Sequence, residues 1–253
     1  IFRGLGNSKL PLLFVGISCF VNILLDLVFV IIFKMDVAGA ALATVIAQTV
    51  SVILSIIIIL KQKLPFTMSI KDIKFNKEVV LFSKIGLPIA LQEILTSVSF
   101  AALLAFINKL GLDQSSGYGI ANKIVSFAML IPSALMQSMA SFVGQNIGAN
   151  KIDRAKKSMY IGMGIGSVIG LGVCTLTFFF GTSLSYIFTD INSYAIESGI
   201  YLKGFALEAM LTCILFSYMG YFSGEGKAIF VMLQGIAQTF IVRLPMAYIM
   251  SIQ

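Results

Sequence analysis

Two long blocks of almost uncharged apolar residues dominate this sequence, on either side of a basic connector that runs from Lys61 to Lys84. Both blocks contain whole windows of about 20 apolar residues, which is the helix length that crosses roughly 30 Å of hydrocarbon. The connector carries six of the 18 Lys and Arg residues. Because such residues accumulate in cytoplasmic loops, we expect the connector to lie in the cytoplasm.

The composition excludes an ordinary soluble domain. Hydrophobic residues make up 58% and charged residues 11% of the 253 residues, whereas soluble domains are about 25% charged. We therefore predict an all-α polytopic membrane protein. The net charge of +7 does not indicate nucleic acid, since the basic residues lie in short loops where orientation and anionic lipid headgroups account for them.

Two further features concern cofactors and chain ends. The three cysteines all lie within apolar runs and the chain has no His, so we predict no disulfide framework, zinc, haem or other cofactor. The sequence opens IFRGLG without an initiator Met, and we expect an internal fragment.

Seven apolar segments predict seven spanning helices. They cover residues 11–33, 37–60, 82–107, 118–143, 157–182, 196–222 and 227–250. With the connector inside, the inside loops hold 13 Lys and Arg and the outside loops hold two, an asymmetry that supports this topology. The predicted loops are 1–10, 144–157 and 223–227 inside, and 34–37, 108–117 and 183–195 outside.

A short pattern occurs twice, once before the first predicted span and once before the last. The stretch Phe2-Arg-Gly4-Leu-Gly6 is matched by Phe222-Ser-Gly224-Glu-Gly226, and an apolar helix follows each. Six predicted spans lie between the two copies. This arrangement predicts two six-helix units of the same orientation, a kind of repeat that is common in secondary transporters.

Four stretches together carry a resemblance to a known family. RGLGNSKLP at Arg3–Pro11, VAGAALAT at Val37–Thr44 and GQNIGANKIDRAKK at Gly144–Lys157 resemble signatures of the MATE (multidrug and toxic compound extrusion) transporters. GLPIALQ at Gly86–Gln92 is similar to the start of the family's seventh helix. The resemblance implies that the seven spans are helices five to eleven of a twelve-helix transporter with two bundles.

The resemblance also implies a domain plan and a function. Residues 1–60 would be the last two helices of the N-terminal bundle, 61–84 the connector and 85–253 five helices of the C-terminal bundle. The implied function is export of organic, often cationic drugs and toxins by alternating access, coupled to inward sodium or proton flow. We expect a monomer in the plasma membrane, the inner membrane of a bacterium, whose partners are small organic substrates and membrane lipids, and which is not an enzyme.

The Gly144–Lys157 stretch is expected to form an inside loop. Gly144 and Gly148 permit a tight turn at the membrane face, and the basic residues that follow anchor the loop at the headgroups.

Ionisable residues inside spans are the default functional candidates, because burying them in lipid costs several kcal/mol unless they face a cavity or a partner. The predicted spans contain six of them: Asp26, Glu93, Lys123, Lys203, Glu208 and Arg243. Lys123 and Lys203 lie close enough to span ends to snorkel. Asn22 and Asp26 share one helical face and are candidates either to line a cavity or to bond to a neighbouring helix. Arg243 is a candidate to line a cavity or to pair with an acid.

Glu93 and Glu208 are the candidate ion-coupling residues, and the candidate sodium ligands if sodium is the coupling ion. Thr96 and Ser97 extend Glu93 into a polar stripe, and Thr212 lies one turn beyond Glu208, so these three are candidate cavity residues. A desolvated carboxylate has a strong drive to take a proton or hold a cation. In the family that the chain resembles, acids on the seventh and tenth helices bind ions in some members, and these positions match by helix and depth.

Two alternative functions stay open from the sequence. A lipid-linked oligosaccharide flippase of the same superfamily would need a cavity ringed by Arg and Lys, whereas Arg243 is the only deep basic residue. A non-transporting membrane scaffold would have no use for Glu93 and Glu208 in the middle of spans. Both features favour the exporter.

Overall fold

The computed structural model describes residues 2–4, 6–61 and 76–252, and every regular element in these ranges is helical. The described residues form two compact units. The first contains α1 (Lys9–Asp26), a π-helical segment (Leu27–Ile32) and α2 (Asp36–Lys61). The second contains α3 (Lys77–Asn108), α4 (Leu112–Ala128), α5 (Leu130–Gly148), α6 (Ile152–Ser185), α7 (Asn192–Gly224), α8 (Ala228–Ala237), a second π-helical segment (Gln238–Arg243) and α9 (Leu244–Ile252).

Seven of the described helical stretches are long and apolar enough to cross a membrane, which confirms the predicted all-α membrane fold and the number of spans. They are Lys9–Ile32, Asp36–Lys61, Val79–Asn108, Leu112–Gly148, Ile152–Ser185, Asn192–Gly224 and Ala228–Ile249. Most of the predicted connector, residues 62–75, lies outside the described residues. Lys77 and Lys84, at the end of the predicted connector, belong to α3.

The helices extend further into the polar segments than the apolar pattern predicts. The predicted outside loop 108–117 is wrong for most of its length, because α4 already begins at Leu112. Asp113 lies in the first turn of α4, where the helix dipole favours an acid. The hydroxyl of Ser115 donates a hydrogen bond to Asn108 at 2.5 Å, which ties this turn to the end of α3.

The predicted turn at Gly144 and Gly148 is also wrong. Both glycines lie within α5, and the chain leaves the helix only over residues 149–151. The turn falls at Asn150, with φ of 58°, because Asn tolerates the left-handed conformation. A Cβ on Gly144 would make only ordinary van der Waals contact, 3.5 Å from the carbonyl oxygen of Gly224, so the helix accommodates this glycine without requiring it.

The pattern that occurs twice in the sequence has the same backbone structure at both places. Gly6 and Gly226 have φ of 81° and 82°. The amide of each glycine donates to the carbonyl three residues earlier at 3.1 Å, and the following amide donates to the carbonyl of Phe2 or Phe222 at 2.9 Å. The sequence repeat is therefore a repeat of one turn, placed before α1 and before α8.

In the first unit, small residues let α1 and α2 pack closely. Gly39, Ala43 and Ala47 recur every four residues and form the buried face of α2. A Cβ on Gly39 would lie 3.0 Å from the Cβ of Phe29, so this contact leaves no room for a side chain. In hydrocarbon no hydrophobic effect draws helices together. Close approach of the backbones therefore supplies the van der Waals contact that holds α1 and α2 together.

In the second unit, α7 is the central helix and packs against α4, α5, α6 and α8. The face of α6 that meets it carries Gly166 and Gly170, and Gly162, four residues earlier, faces Met139 of α5 instead. A Cβ on Gly166 would lie 2.9 Å from the carbonyl oxygen of Cys213, so the backbones are in contact. Gly164, two residues before Gly166, has open space around it.

Prolines break two of the spans of this unit. Pro132 has no amide hydrogen for the carbonyl of Ala128, and the helix is interrupted at Met129, between α4 and α5. Pro245 likewise cannot donate to Ile241, and it follows directly on the second π-helical segment. The wide turns of that segment position Arg243.

Candidate functional site

Two charged residues within spans of the second unit form an ion pair. Oε1 of Glu208 lies 3.9 Å from a terminal nitrogen of the Arg243 guanidinium. Glu208 is in the middle of α7, and Arg243 is the last residue of the second π-helical segment. The side chain of Glu208 is 52% exposed and that of Arg243 is 21% exposed. The sequence had left open whether Arg243 pairs with an acid, and the structure shows that it does.

Arg243 also contacts the third element of this region. Its guanidinium carbon lies 4.3 Å from the centre of the Phe100 ring, within the range of a cation–π interaction. Phe100 belongs to α3, which packs against α4, α8 and α9 but, among the described residues, not against α7. Arg243 therefore connects α7 and α3 through its side chain.

Two tyrosines extend this cluster. The rings of Tyr118 on α4 and Tyr201 on α7 meet edge to face, with centres 5.1 Å apart. Tyr201 precedes Glu208 by seven residues, two turns on the same helical face. Sequence reasoning missed both tyrosines, although the seven-residue spacing from Glu208 was visible.

Glu93 lies apart from Glu208, on an exposed face of α3. Phe100 follows it by seven residues, so Glu93 lies two turns, about 10.5 Å, along the helix from the ring that contacts Arg243. The hydroxyl of Ser97 donates to the backbone carbonyl of Glu93 at 2.9 Å, so it is engaged within its own helix. Thr96 is half-buried. The structure does not bring the two predicted coupling acids into direct contact.

Three buried polar residues of α3 and of the second π-helical segment were missed by sequence reasoning. Gln92 and Ser99 on α3 and Thr239 beside α8 are all buried. Gln92 packs against Gly235, where a Cβ would meet the amide group of its side chain. The seven-residue spacing of Gln92 and Ser99, which places both on one face of α3, was the available signal. Thr212, one turn beyond Glu208, is half-buried.

In the first unit, the predicted residues Asn22 and Asp26 lie close to α2. The side-chain amide of Asn22 donates to the hydroxyl oxygen of Thr44 at 3.3 Å, which is the bond to a neighbouring helix that the sequence suggested. Oδ1 of Asp26 is buried without a hydrogen-bond partner among the described residues. A cleft of about 510 Å³ runs beside these helices, lined by Val15, Ser18, Cys19, Asn22, Thr44, Ala47, Gln48, Ser51 and Val52.

A helical chain with seven spans and with charges held inside them is typical of a membrane transporter. Residues 88–249 match the MatE family model, and the chain belongs to this family of transporters, as its resemblance predicted.

Its relatives are named as exporters or resistance proteins. The probable multidrug resistance protein YoeA of Bacillus subtilis is 30% identical over 194 residues, which cover 74% of this chain and 42% of YoeA. The multidrug export protein MepA of Staphylococcus saprophyticus is 26% identical over 259 residues, which cover 98% of this chain and 55% of MepA. The chain thus spans about half the length of these relatives.

The fold agrees with solved structures of the same family. A mutant of the Vibrio cholerae MATE transporter VcmN superposes with a TM-score of 0.88 at 19% identity, over 96% of this chain and 56% of VcmN. Identity at this level supports the fold alone.

Proposed function

We propose that the protein containing this chain is a secondary active exporter of organic, often cationic compounds, driven by inward flow of sodium ions or protons. Membership of the MatE family and the names of YoeA and MepA support export of such compounds. We place the protein in a bacterial inner membrane as a monomer, with the connector in the cytoplasm.

The observation that carries the proposal is the Glu208 side chain, 52% exposed in the middle of the Asn192–Gly224 span. A carboxylate that faces hydrocarbon costs several kcal/mol, so a half-exposed one is stable only if it faces a water-filled cavity or other protein. Arg243 at 3.9 Å compensates its charge without enclosing it. Glu208 is therefore accessible to a cation from one side while it is paired on the other.

Exchange of two cations at this carboxylate couples the movement of the ion to the movement of the organic compound. A proton or a sodium ion that binds Glu208 neutralises it and removes its attraction for an organic cation, so the two bind in turn. If the protein alternates between inward and outward access, each ligand shifts that equilibrium only through its differential affinity for the two states. Inward movement of the coupling ion then drives outward movement of the organic cation.

Glu93 is proposed as a second, weaker coupling residue, because it is exposed inside the Val79–Asn108 span. Thr96, Ser97 and Thr212 are proposed to line the path of the coupling ion, with Glu93 and Glu208 as ligands if that ion is sodium. Asn22, which lines the cleft of the first unit, and Asp26, one turn further along α1, are proposed as further lining residues.

The test is export from cells. The full-length protein is expressed in a bacterial strain without its own multidrug exporters, and the accumulated lipophilic cation tetraphenylphosphonium is measured. We expect lower accumulation than in cells with the empty vector, and loss of this difference between the two strains when the sodium or proton gradient is collapsed. Accumulation equal to that of the empty-vector cells, with the protein present in the membrane, would refute the proposal.

A further inference from the structure

The surroundings of the Arg243 guanidinium have the composition of a binding site for an organic cation. A carboxylate, Glu208, lies 3.9 Å to one side and the face of an aromatic ring, Phe100, lies 4.3 Å from the guanidinium carbon. An opposite charge and a ring face both attract a ligand cation electrostatically. The position that a ligand's charge would take is thus filled by a side chain of the protein itself.

The contact with Glu208 is long. Charge-assisted hydrogen bonds between a guanidinium and a carboxylate have N···O distances of about 2.7–2.9 Å, whereas this pair is separated by 3.9 Å. The carboxylate is also the more accessible member, at 52% against 21% exposed. A ligand cation can therefore reach Glu208 from its open side before the guanidinium has moved away.

The backbone that carries Arg243 departs from a regular α-helix. Gln238–Arg243 is π-helical, a conformation that is rare and frequent at functional sites, and Pro245 follows it.

We infer that Glu208, Phe100 and Arg243 form a binding site for organic cations that carry aromatic groups, in which the Arg243 guanidinium is a tethered competitor for the position of the ligand's charge. The inference rests on the proposed function, since it names the group on the protein that an exported cation displaces. It predicts that removal of Arg243 strengthens the binding of organic cations, which is the opposite of what loss of an ordinary binding residue does.

The competing explanation is that Arg243 only joins α7 to α3. Its side chain does connect Glu208 on one helix with Phe100 on the other. A purely structural connection would, when cut, weaken all ligands alike whatever their charge. The charge of the ligand therefore separates the two explanations.

The experiment uses two ions of the same shape and opposite charge, tetraphenylphosphonium and tetraphenylborate. Their equilibrium binding to the purified full-length protein in detergent is compared between variants, so that partition into micelles is the same in every sample. For Arg243→Gln we expect the Kd of tetraphenylphosphonium to fall about tenfold, because the competitor that holds the site is gone. The Kd of tetraphenylborate should not fall.

Glu208→Gln provides the reciprocal result. It removes the countercharge, so the Kd of tetraphenylphosphonium should rise about tenfold while that of tetraphenylborate does not rise. Lys203→Gln is the matched control, since it removes one positive charge from an exposed position on the helix of Glu208. We expect it to change either Kd by less than about twofold, because its charge is exposed and screened.

Several results would overturn the inference. One is an unchanged or weaker binding of tetraphenylphosphonium to Arg243→Gln, or an equal change for both ions. Another is a gain in Lys203→Gln as large as in Arg243→Gln. If Arg243→Gln does not fold, Arg243→Met replaces it. An unchanged preference of Glu208→Gln for tetraphenylphosphonium over tetraphenylborate would by itself contradict the inference. No gradient is applied in this assay, so its failure is distinct from a failure of gradient-driven export.

Discussion

Gly6 and Gly226 adopt the same left-handed backbone conformation, with φ of 81° and 82°, near opposite ends of the chain. The two hydrogen bonds that close the turn have the same lengths at both places, 3.1 Å and 2.9 Å. Because the turn precedes α1 in one unit and α8 in the other, the chain enters two different helices through one local structure.

The glycine of this turn is required for its backbone conformation. A Cβ on Gly226 would have open space around it, so only the positive φ opposes a side chain. We expect Gly226→Ala to lower the free energy of unfolding by about 1–2 kcal/mol, the cost of the left-handed conformation for an L-residue. Thermal unfolding of the full-length protein in detergent measures it. Gly226→Asn is the control and should lower the free energy of unfolding by less, because Asn tolerates the left-handed conformation. An equal loss of stability in the two variants would contradict the explanation.

The predictable part of the fold is the part that hydrocarbon dictates. Windows of apolar residues determine the number of spans, and the seven predicted spans are all present. Their ends were less predictable, because a helix continues past the hydrocarbon wherever local bonds favour it, as at Asp113 and Ser115. Glycine was ambiguous for a related reason. Gly166 allows close packing whereas Gly226 serves a turn, and the residue type is the same in both.

The glycine face of α6 makes a second prediction. A Cβ on Gly166 would lie 2.9 Å from the carbonyl oxygen of Cys213, and backbone atoms cannot move aside as a flexible side chain can. We expect Gly166→Ala to lower the free energy of unfolding by about 1–3 kcal/mol, as overpacked substitutions do. Gly164→Ala, two residues away with open space around it, is the matched control and should be neutral or slightly stabilising. Equal effects of the two substitutions would show that contact with α7 does not matter.

The hydrogen bond between Asn22 and Thr44 makes a third prediction. The amide of Asn22 donates to Thr44 at 3.3 Å between α1 and α2. Asn22→Ala and Thr44→Val should each cost about 0.6 kcal/mol, the average for such bonds within membranes. The double variant should cost less than the sum, which a double-mutant cycle of unfolding free energies measures. Thr49→Val is the control, since that hydroxyl donates only to Val45 of its own helix. Additive losses would mean that the two side chains do not interact.

The candidate site was only partly visible in the sequence. Glu208 and Arg243 were recognisable because a charge inside an apolar span is costly wherever it points. Their pairing was not, because they belong to different spans joined by a turn and a π-helical segment sets the direction of Arg243. Phe100 and Tyr118 were indistinguishable from the many aromatic residues that face lipid. Which ring meets a charge depends on packing that apolar periodicity does not encode.

The orientation of the chain makes a fourth prediction. With the connector in the cytoplasm, the turn after α3 lies outside and the turn after α5 lies inside. In a full-length protein whose native cysteines are replaced by alanine, Leu110→Cys should react with an impermeant maleimide in intact cells. Ala149→Cys should react only after permeabilisation, and Val168→Cys, exposed in the middle of α6, should react in neither case. Labelling of Ala149→Cys in intact cells would reverse the topology.

The central claim is that Glu208 couples export to an ion gradient, and reconstitution tests it most directly. Full-length protein in liposomes loaded with tetraphenylphosphonium is given an inward sodium or proton gradient, and the rate of efflux is measured with and without the gradient. The account predicts that one of the gradients accelerates efflux from the wild-type protein and that Glu208→Gln loses this acceleration. Glu93→Gln should lose it in part. Glu225→Gln, which removes an acid paired with Lys227 outside the spans, should keep it. Efflux that responds to the gradient equally in the wild type, Glu208→Gln and Glu93→Gln would contradict the account.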